Sequence, residues 1–373
     1  MAGAQAWPIR MAALGPVAMG SILWRLEDQL MATVAVKTSF ALMPGTVMRL
    51  TQAPPMRVTD HYDASGHLVG PAEMAPRLQR VDVVLTGHAF PRKNATVAHV
   101  RLAIVGSQTK LLDKWLTVYG DLNDNGEPQP FEHLRLDYEN TYGGPGYADN
   151  PMGVGFGSAL VPRVRYPEGR QDRPASFAPI PSTFPSRERL LGNTPPSALA
   201  SRVAEIPLDF NWRYFQAAPE DQRINRLQGD AWIMLEHLHH RYARLRTMLP
   251  SAVAHAHVYG AESVGLVEEV PLMPDMVHIE PDRDRCSIVW RGSFPLPDER
   301  ALEVITVAGG VELEDQPLLW PADERELTAP RKGPTDVSAF AKTLVIGSGD
   351  DDPLSKTQTI DEEKTDEAEP EDD

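Results

Sequence analysis

Two histidine groups hold the densest metal-ligating chemistry in the chain: Glu236-His237-Leu238-His239-His240 and His255-Ala256-His257. On a helix, Glu236 and His240 would share a face and form one side of a zinc or iron site. On a strand, His255 and His257 would point the same way. Neither group contains the helical H-E-x-x-H pattern, and histidines of this kind are more commonly surface or partly buried side chains. A metal-dependent enzyme using His237–His240 with His255 and His257 is therefore the alternative reading, not the leading one.

A second pattern runs from Asp121 through Asn123, Asn125 and Gly126 to Glu132, and matches the calcium-loop spacing letter for letter. Alternate oxygen side chains, a glycine for the sharp turn and a closing carboxylate would wrap a hard cation. The flanks disagree. A strand pattern precedes the loop where a helix is needed, and Pro128 and Pro130 stiffen its second half. A hairpin loop of Asn, Asp and Gly is the better reading; a calcium-dependent binding module is the other. No G-x-S-x-G nucleophile turn and no phosphate- or dinucleotide-binding glycine motif occurs at a strand–helix junction. The single cysteine, Cys286, excludes an intrachain disulfide and a Cys-rich metal site. The expectation is a protein with no cofactor that performs no chemistry.

The elements that must position these residues are mostly strands. Ala32–Phe40, Val81–Thr86, Ala98–Ile104 and Trp115–Tyr119 are β-branched or alternate with a period of two. The last three, joined by short turns, predict an antiparallel meander. Later strands are expected at Ala254–Gly260, Met276–Ile279, Cys286–Trp290 and Leu302–Val307, with a hairpin turn at Ala308-Gly309-Gly310. Trp232, Leu235, Leu238, Tyr242, Leu245 and Leu249 are spaced by threes and fours, which predicts a helix over Asp230–Met248. Gly229-Asp230-Ala231-Trp232-Ile233 could instead open a strand. Between Pro128 and Asn211 the chain is rich in Pro, Gly, Arg and aromatic residues and periodicity vanishes. Aromatics anchor, so this is a long ordered loop region and not a plain linker.

The expected fold class is mainly β: antiparallel, sandwich-like sheets with long ordered Pro/Gly/aromatic loops and few short helices. The Pro and Gly content, 34 and 27 residues, rules out a helical bundle. The division expected is a β-rich domain over 1–300, with a split into subdomains near 128–211, then a β-like extension over 301–346. A disordered acidic tail, 347–373, follows. Asp350–Asp373 alone carries twelve acids against two lysines, and has too little apolar surface to offset the entropy of ordering. A net charge of −16 argues against nucleic acid as a partner. No run of eighteen apolar residues exists, so no membrane span is expected. The apolar stretch Met11–Trp24 is broken by Pro16 and reads as the first segment of the fold, an export signal being the alternative. A cytoplasmic location follows.

An ordered series of short patterns carries a resemblance. It begins with Val81-Asp82-Val83-Val84 and Gly87-His88-Ala89. Tyr138-Glu139-Asn140-Thr141-Tyr142-Gly143-Gly144 and Asn150-Pro151-Met152-Gly153 come next. Pro207-Leu208-Asp209-Phe210, Phe215-Gln216-Ala217-Ala218-Pro219, Asp221-Gln222 and Leu227-Gln228-Gly229-Asp230 follow, and Leu249-Pro250 and Val289-Trp290-Arg291-Gly292 close it. The series, over roughly Val34 to Pro295, resembles the bacterial family called domain of unknown function 2169, whose members sit in type VI secretion gene clusters. The resemblance implies an adaptor or chaperone that helps load an effector, often linked to a PAAR domain, onto the VgrG spike. Its partners would be proteins. Tyr142, Gly143, Gly144, Asn150, Pro151, Phe210, Trp212 and Phe215 are the candidate partner-binding residues, since aromatic anchors dominate interfaces; turn-shaping is the equal alternative for the Gly and Asn positions.

Overall fold

A computed structural model describes residues 7–168, 172–266, 268–314 and 316–328. The acidic tail and the end of the C-terminal extension lie outside them. Strands hold 40% of the residues and helices 11%, and no described helix exceeds five residues. The fold is mainly β, and strand pairing alone must carry its architecture.

Two long strands make the backbone of the largest sheet. Gln29–Ala41 and Arg285–Pro295 pair antiparallel, from Ala41 opposite Arg285 to Met31 opposite Pro295. Outward from them run Ala18–Leu26 and Val203–Ile206 on one side, and Met273–Glu280, Val81–Leu85 and Arg223–Ile224 on the other. The pairs Val203–Ile206 with Ala18–Leu26 and Val81–Leu85 with Met273–Glu280 are parallel. A five-stranded antiparallel sheet runs in the order Val164–Arg165, Lys110–Tyr119, Val97–Val105, Trp232–Glu236, Arg244–Met248. A four-stranded sheet runs Arg10–Leu14, Thr306–Leu313, Ala252–Tyr259, Glu269–Val270. Met11–Trp24 thus supplies two strands, broken at Gly15-Pro16 where proline cannot donate to a ladder.

The two faces of Gln29–Ala41 differ, as period-two alternation requires. Ala32, Val34, Val36 and Phe40 join the main core, which also takes in strands of the other two sheets. Val34, Val36 and Phe40 each contribute about 1.5–3 kcal/mol on burial. Thr33, Ala35, Lys37 and Ser39 lie on the other face and are just as buried. There, Thr33 and Lys37 find polar partners, while Ser39 Oγ closes no hydrogen bond. Lys37 Nζ donates to Glu73 Oε2 at 2.9 Å and to the carbonyl of Pro55 at 3.1 Å. Arg57 also pairs with Glu73. Burial pushes the Lys37 pKa down to about 8 against the pull of Glu73.

Four expectations fail here. The Asp230–Met248 segment is a hairpin, Trp232–Glu236 paired with Arg244–Met248. Ile233, Leu235, Leu245 and Thr247 are buried while their neighbours are not, a period of two that the threes-and-fours spacing of other residues hid. The meander keeps only its second hairpin, Val97–Val105 with Lys110–Tyr119. Val81–Leu85 belongs to the large sheet instead, and all five of its residues are buried, as in a strand covered on both faces. Leu302–Val307 does not run as one strand. Residues Ala301–Val304 form a helical turn and the strand begins at Thr306. Ala308-Gly309-Gly310 is no turn but the middle of that strand, Thr306–Leu313.

Those glycines serve close packing. A Cβ on Gly309 would stand 2.6 Å from Met19 Cε and 2.9 Å from Val36 Cγ2, where the small sheet approaches the large one. Gly309→Val is expected to lower stability by about 1–3 kcal/mol through overpacking, read as a fall in the urea midpoint at constant slope. A valine variant as stable as the native chain would contradict this packing.

Candidate interaction surface

The recognisable polar residues of the sequence turn out to be buried ties. Asp82, in Val81–Leu85, is fully buried. Its Oδ1 accepts from Gln216 Nε2 at 2.6 Å, and its Oδ2 accepts from the backbone N–H groups of Ala217 and Ala218. One carboxylate therefore ends the aromatic segment and turns it onto the sheet. Gln222 continues the seam. Its amide donates to the carbonyls of Val83 at 2.7 Å and Phe177 at 3.0 Å, and its oxygen accepts from Lys114 Nζ at 2.7 Å. Lys114 also donates to Ser176 O at 2.7 Å and Asp221 Oδ1 at 2.8 Å. Burial pushes its pKa down to about 8, opposed by Asp221. All three ammonium protons have acceptors, so Lys114 acts as a tie and offers no lone pair to a substrate.

Asn150 does the same for the Tyr138–Phe156 loop. It is completely buried; its amide donates to Tyr138 O at 2.7 Å and Thr141 Oγ1 at 2.9 Å, and its Oδ1 accepts from Met152 N at 3.2 Å. Gly143 and Gly144 lie against it: a Cβ on Gly143 would meet Asn150 O at 2.2 Å. Pro151 follows in the turn, half-buried. The loop gathers three rings, half-buried Tyr142 edge-on to half-buried Tyr147 at 5.3 Å and Tyr147 tilted against Phe156 at 5.2 Å between ring centres. Phe156, Met152 and Leu160 are exposed beside it. Phe210 and Trp212, by contrast, are buried, and Phe215 is half-buried against them. They pack with Trp24, whose ring meets that of Trp212 edge-on at 5.7 Å, and the Arg77 guanidinium lies 3.9 Å over Trp212. Their aromatic surface is used inside the protein, as a satellite core.

The calcium-like loop is organised by its own backbone. Asn123 Oδ1 accepts from the N–H groups of Asn125 at 3.0 Å and Glu127 at 2.9 Å. Asp121 pairs with Arg163 at 2.8 Å, and Glu132 is exposed beyond the Pro128 bridge. The two histidine groups lie on different sheets. His237 to His240 form the turn of the Trp232–Met248 hairpin, where His237 has φ of 55° and His239 is buried against Asp284 Oδ1 at 2.7 Å. His239 Nδ1 accepts from Arg241 N, so its proton sits on Nε2 toward Asp284. His255 faces Glu269 and Glu312 at 3.5 and 3.6 Å from the four-stranded sheet, and His257 stacks near Tyr259 and Trp320.

The remaining candidate is an apolar groove of about 480 Å³ between the large and four-stranded sheets. Val81, Leu227, Gly229, Leu249, Pro250 and Trp290 line it. Each belongs to one of the short patterns found in the sequence, from segments more than two hundred residues apart. Two side chains on its lip, Val253 and Met273, are 51% and 58% exposed. Sequence reading missed both. The available signal was an apolar residue on the outward face of a strand, as Met273 is at the start of Met273–Glu280 and Val253 is in Ala252–Tyr259.

Strand scaffold, buried polar seam and apolar groove together define a β-rich protein whose distinctive residues shape a surface. The family model described as "Uncharacterized protein conserved in bacteria (DUF2169)" matches residues 27–291, and the chain belongs to that family. No curated protein matches the chain, and no solved structure does.

Proposed function

We propose that this chain is a cytoplasmic adaptor of bacterial type VI secretion. It binds an effector, in many cases one linked to a PAAR domain, and assists its loading onto the VgrG spike without catalysing a reaction. The observation that carries this reading is that four of the dispersed patterns, those of Val81, Leu227–Gly229, Leu249-Pro250 and Trp290, meet at one apolar groove with an exposed aliphatic lip. A groove of this chemistry suits an apolar strand or helix face of a protein partner, since burial of such surface drives association. The exposed Phe156, tilted against the half-buried Tyr147, offers a second anchor.

The test uses the full chain co-expressed with the product of the neighbouring effector gene. Native protein is expected to co-purify with that effector. The double variant Val253→Glu and Met273→Glu, at exposed positions, is expected to keep its melting temperature and to lose at least tenfold of the captured effector. Undiminished capture by the double variant would move the interface away from the groove. Unchanged secretion of every effector after deletion of the gene would overturn the adaptor reading itself.

A further inference from the structure

Among the described residues, one cluster of metal-ligating atoms forms, and it lies away from both histidine groups discussed above. His67 Nδ1, a carboxylate oxygen of Asp137 and one of Glu139 all stand within 4.8 Å of one another. His67 ends the tight turn between His61–Tyr62 and Leu68–Gly70, and Asp137 and Glu139 flank the start of the Tyr138–Asn140 turn. Three observations point to a cation held between them. The first is spacing. His67 Nδ1 is 3.2 Å from Asp137 Oδ2 and 3.5 Å from Glu139 Oε1. Donors bound at 2.0–2.1 Å to a tetrahedral metal stand roughly 3.3–3.4 Å apart. The second is that His67 Nδ1 and Asp137 Oδ2 are both buried atoms that close no hydrogen bond. Such atoms in a native fold call for an unseen partner, an ion or a water. The third is that the Asp137 carboxylate and the backbone of His67 are held from behind. Asp137 Oδ1 accepts from Asn140 Nδ2 at 2.9 Å, which leaves Oδ2 aimed at His67. His67 is fixed through its backbone N–H, which donates to Asp63 Oδ1 at 3.0 Å, and Asp63 is in turn paired with Arg135. Outer contacts of this kind orient the ligands of metal sites.

We propose that His67, Asp137 and Glu139 bind one divalent transition metal, zinc foremost, with a fourth position open to solvent on the exposed Glu139 side. One imidazole and two carboxylates suit zinc better than calcium or magnesium, which take oxygen ligands in larger number. The ion fastens the 61–70 hairpin to the turn that begins the Tyr138–Gly144 pattern. It is a staple on the loop that carries the Tyr142–Phe156 ring cluster, and it stands independently of the secretion role.

The experiment is a calorimetric titration of zinc alone into full-length protein stripped of metal by chelation, with melting temperature read in parallel. One equivalent is expected to bind and to raise the melting temperature. Cobalt in its place is expected to give the visible absorption of a four-coordinate site. His67→Ala is expected to abolish this binding. Glu139→Gln, at an exposed position that leaves the fold intact, is expected to weaken it by at least about tenfold, the effect of removing even a partner that only orients a ligand. The double variant His255→Ala and His257→Ala is expected to bind as the native chain does. If the native protein takes up no zinc, or if Glu139→Gln and His67→Ala bind it undiminished, the cluster is a metal-free contact of one imidazole with two carboxylates and the proposal falls.

Discussion

Replacing Asp82 with Ala is expected to lower the unfolding free energy by about 3–5 kcal/mol, measured by urea denaturation at neutral pH. The size follows from what is left behind. Two backbone N–H groups, of Ala217 and Ala218, would lose their acceptor in a fully buried site, and the Gln216 amide would keep only its bond to the Arg80 carbonyl. Each orphaned donor costs about 1–3 kcal/mol, more than the net value of the bond it made. Asp82→Asn is expected to do nearly as much damage, because the carboxylate uses both oxygens as acceptors and an amide has one. A loss under about 1 kcal/mol in either variant would mean the turn at Gln216–Ala218 can find water or another acceptor. The consequence for binding is indirect but readable. Asp82 stands beside Val81, which lines the apolar groove. Asp82→Ala should lose partner capture together with stability, whereas changes at Met273 should lose capture alone.

The contrast between these two residues shows what a sequence can and cannot say about this fold. The hairpin of Val97–Val105 with Lys110–Tyr119 was legible because alternation and a Gly-Ser turn are local signals. The two long central strands were legible for the same reason, though each extends beyond its β-branched centre. Sheet membership was not. Nothing near Val81–Leu85 says that its neighbours are Met273–Glu280 and Arg223–Ile224, because pairing at that separation is decided by the whole core. The Trp232–Met248 hairpin failed for a different reason. Its apolar residues satisfy two periodicities at once, and only the presence of Val97–Val105 as a partner selects the strand. At the candidate site, the pattern letters were visible but their roles were not. Asp82 and Gln216 lie 134 residues apart and looked like two unrelated polar positions until the fold placed them in contact. Phe210 and Trp212 look like anchors by residue type, and burial is what separates a core aromatic from an exposed one.

Acid is expected to destabilise this protein through His278 as the pH falls below about 6.5. His278 is buried in the polar face of the large sheet. Its Nδ1 lies 3.0 Å from Arg57 Nη2, which can only donate, so Nδ1 carries no proton. Nε2 then bears the hydrogen and donates to Thr86 Oγ1 at 2.8 Å. The ring is therefore neutral, and its surroundings keep it so. Burial opposes the charged form, and although Glu280 favours it, the cations Arg57, Lys37 and Arg285 add to the opposition; the pKa is pushed down to about 3. An unfolded chain protonates the same imidazole near 6.5. The native state thus binds this proton more weakly than the unfolded one, so the stability due to the neutral ring is whole above pH 6.5 and is lost as the pH falls toward 3. At 1.36 kcal/mol for each pH step, the loss is on the order of 4–5 kcal/mol by the bottom of that window. The discriminating variant is His278→Gln. Its side-chain oxygen can accept from Arg57 and its amide can donate to Thr86, but it does not titrate. Urea midpoints measured from pH 7 to pH 4 should fall steeply for the native chain and shallowly for the variant. Parallel curves would mean that His278 takes its proton in the folded protein as easily as in the unfolded chain. The polar face, with Lys37 and Glu73 at its centre, would then be far more open to water than its burial indicates.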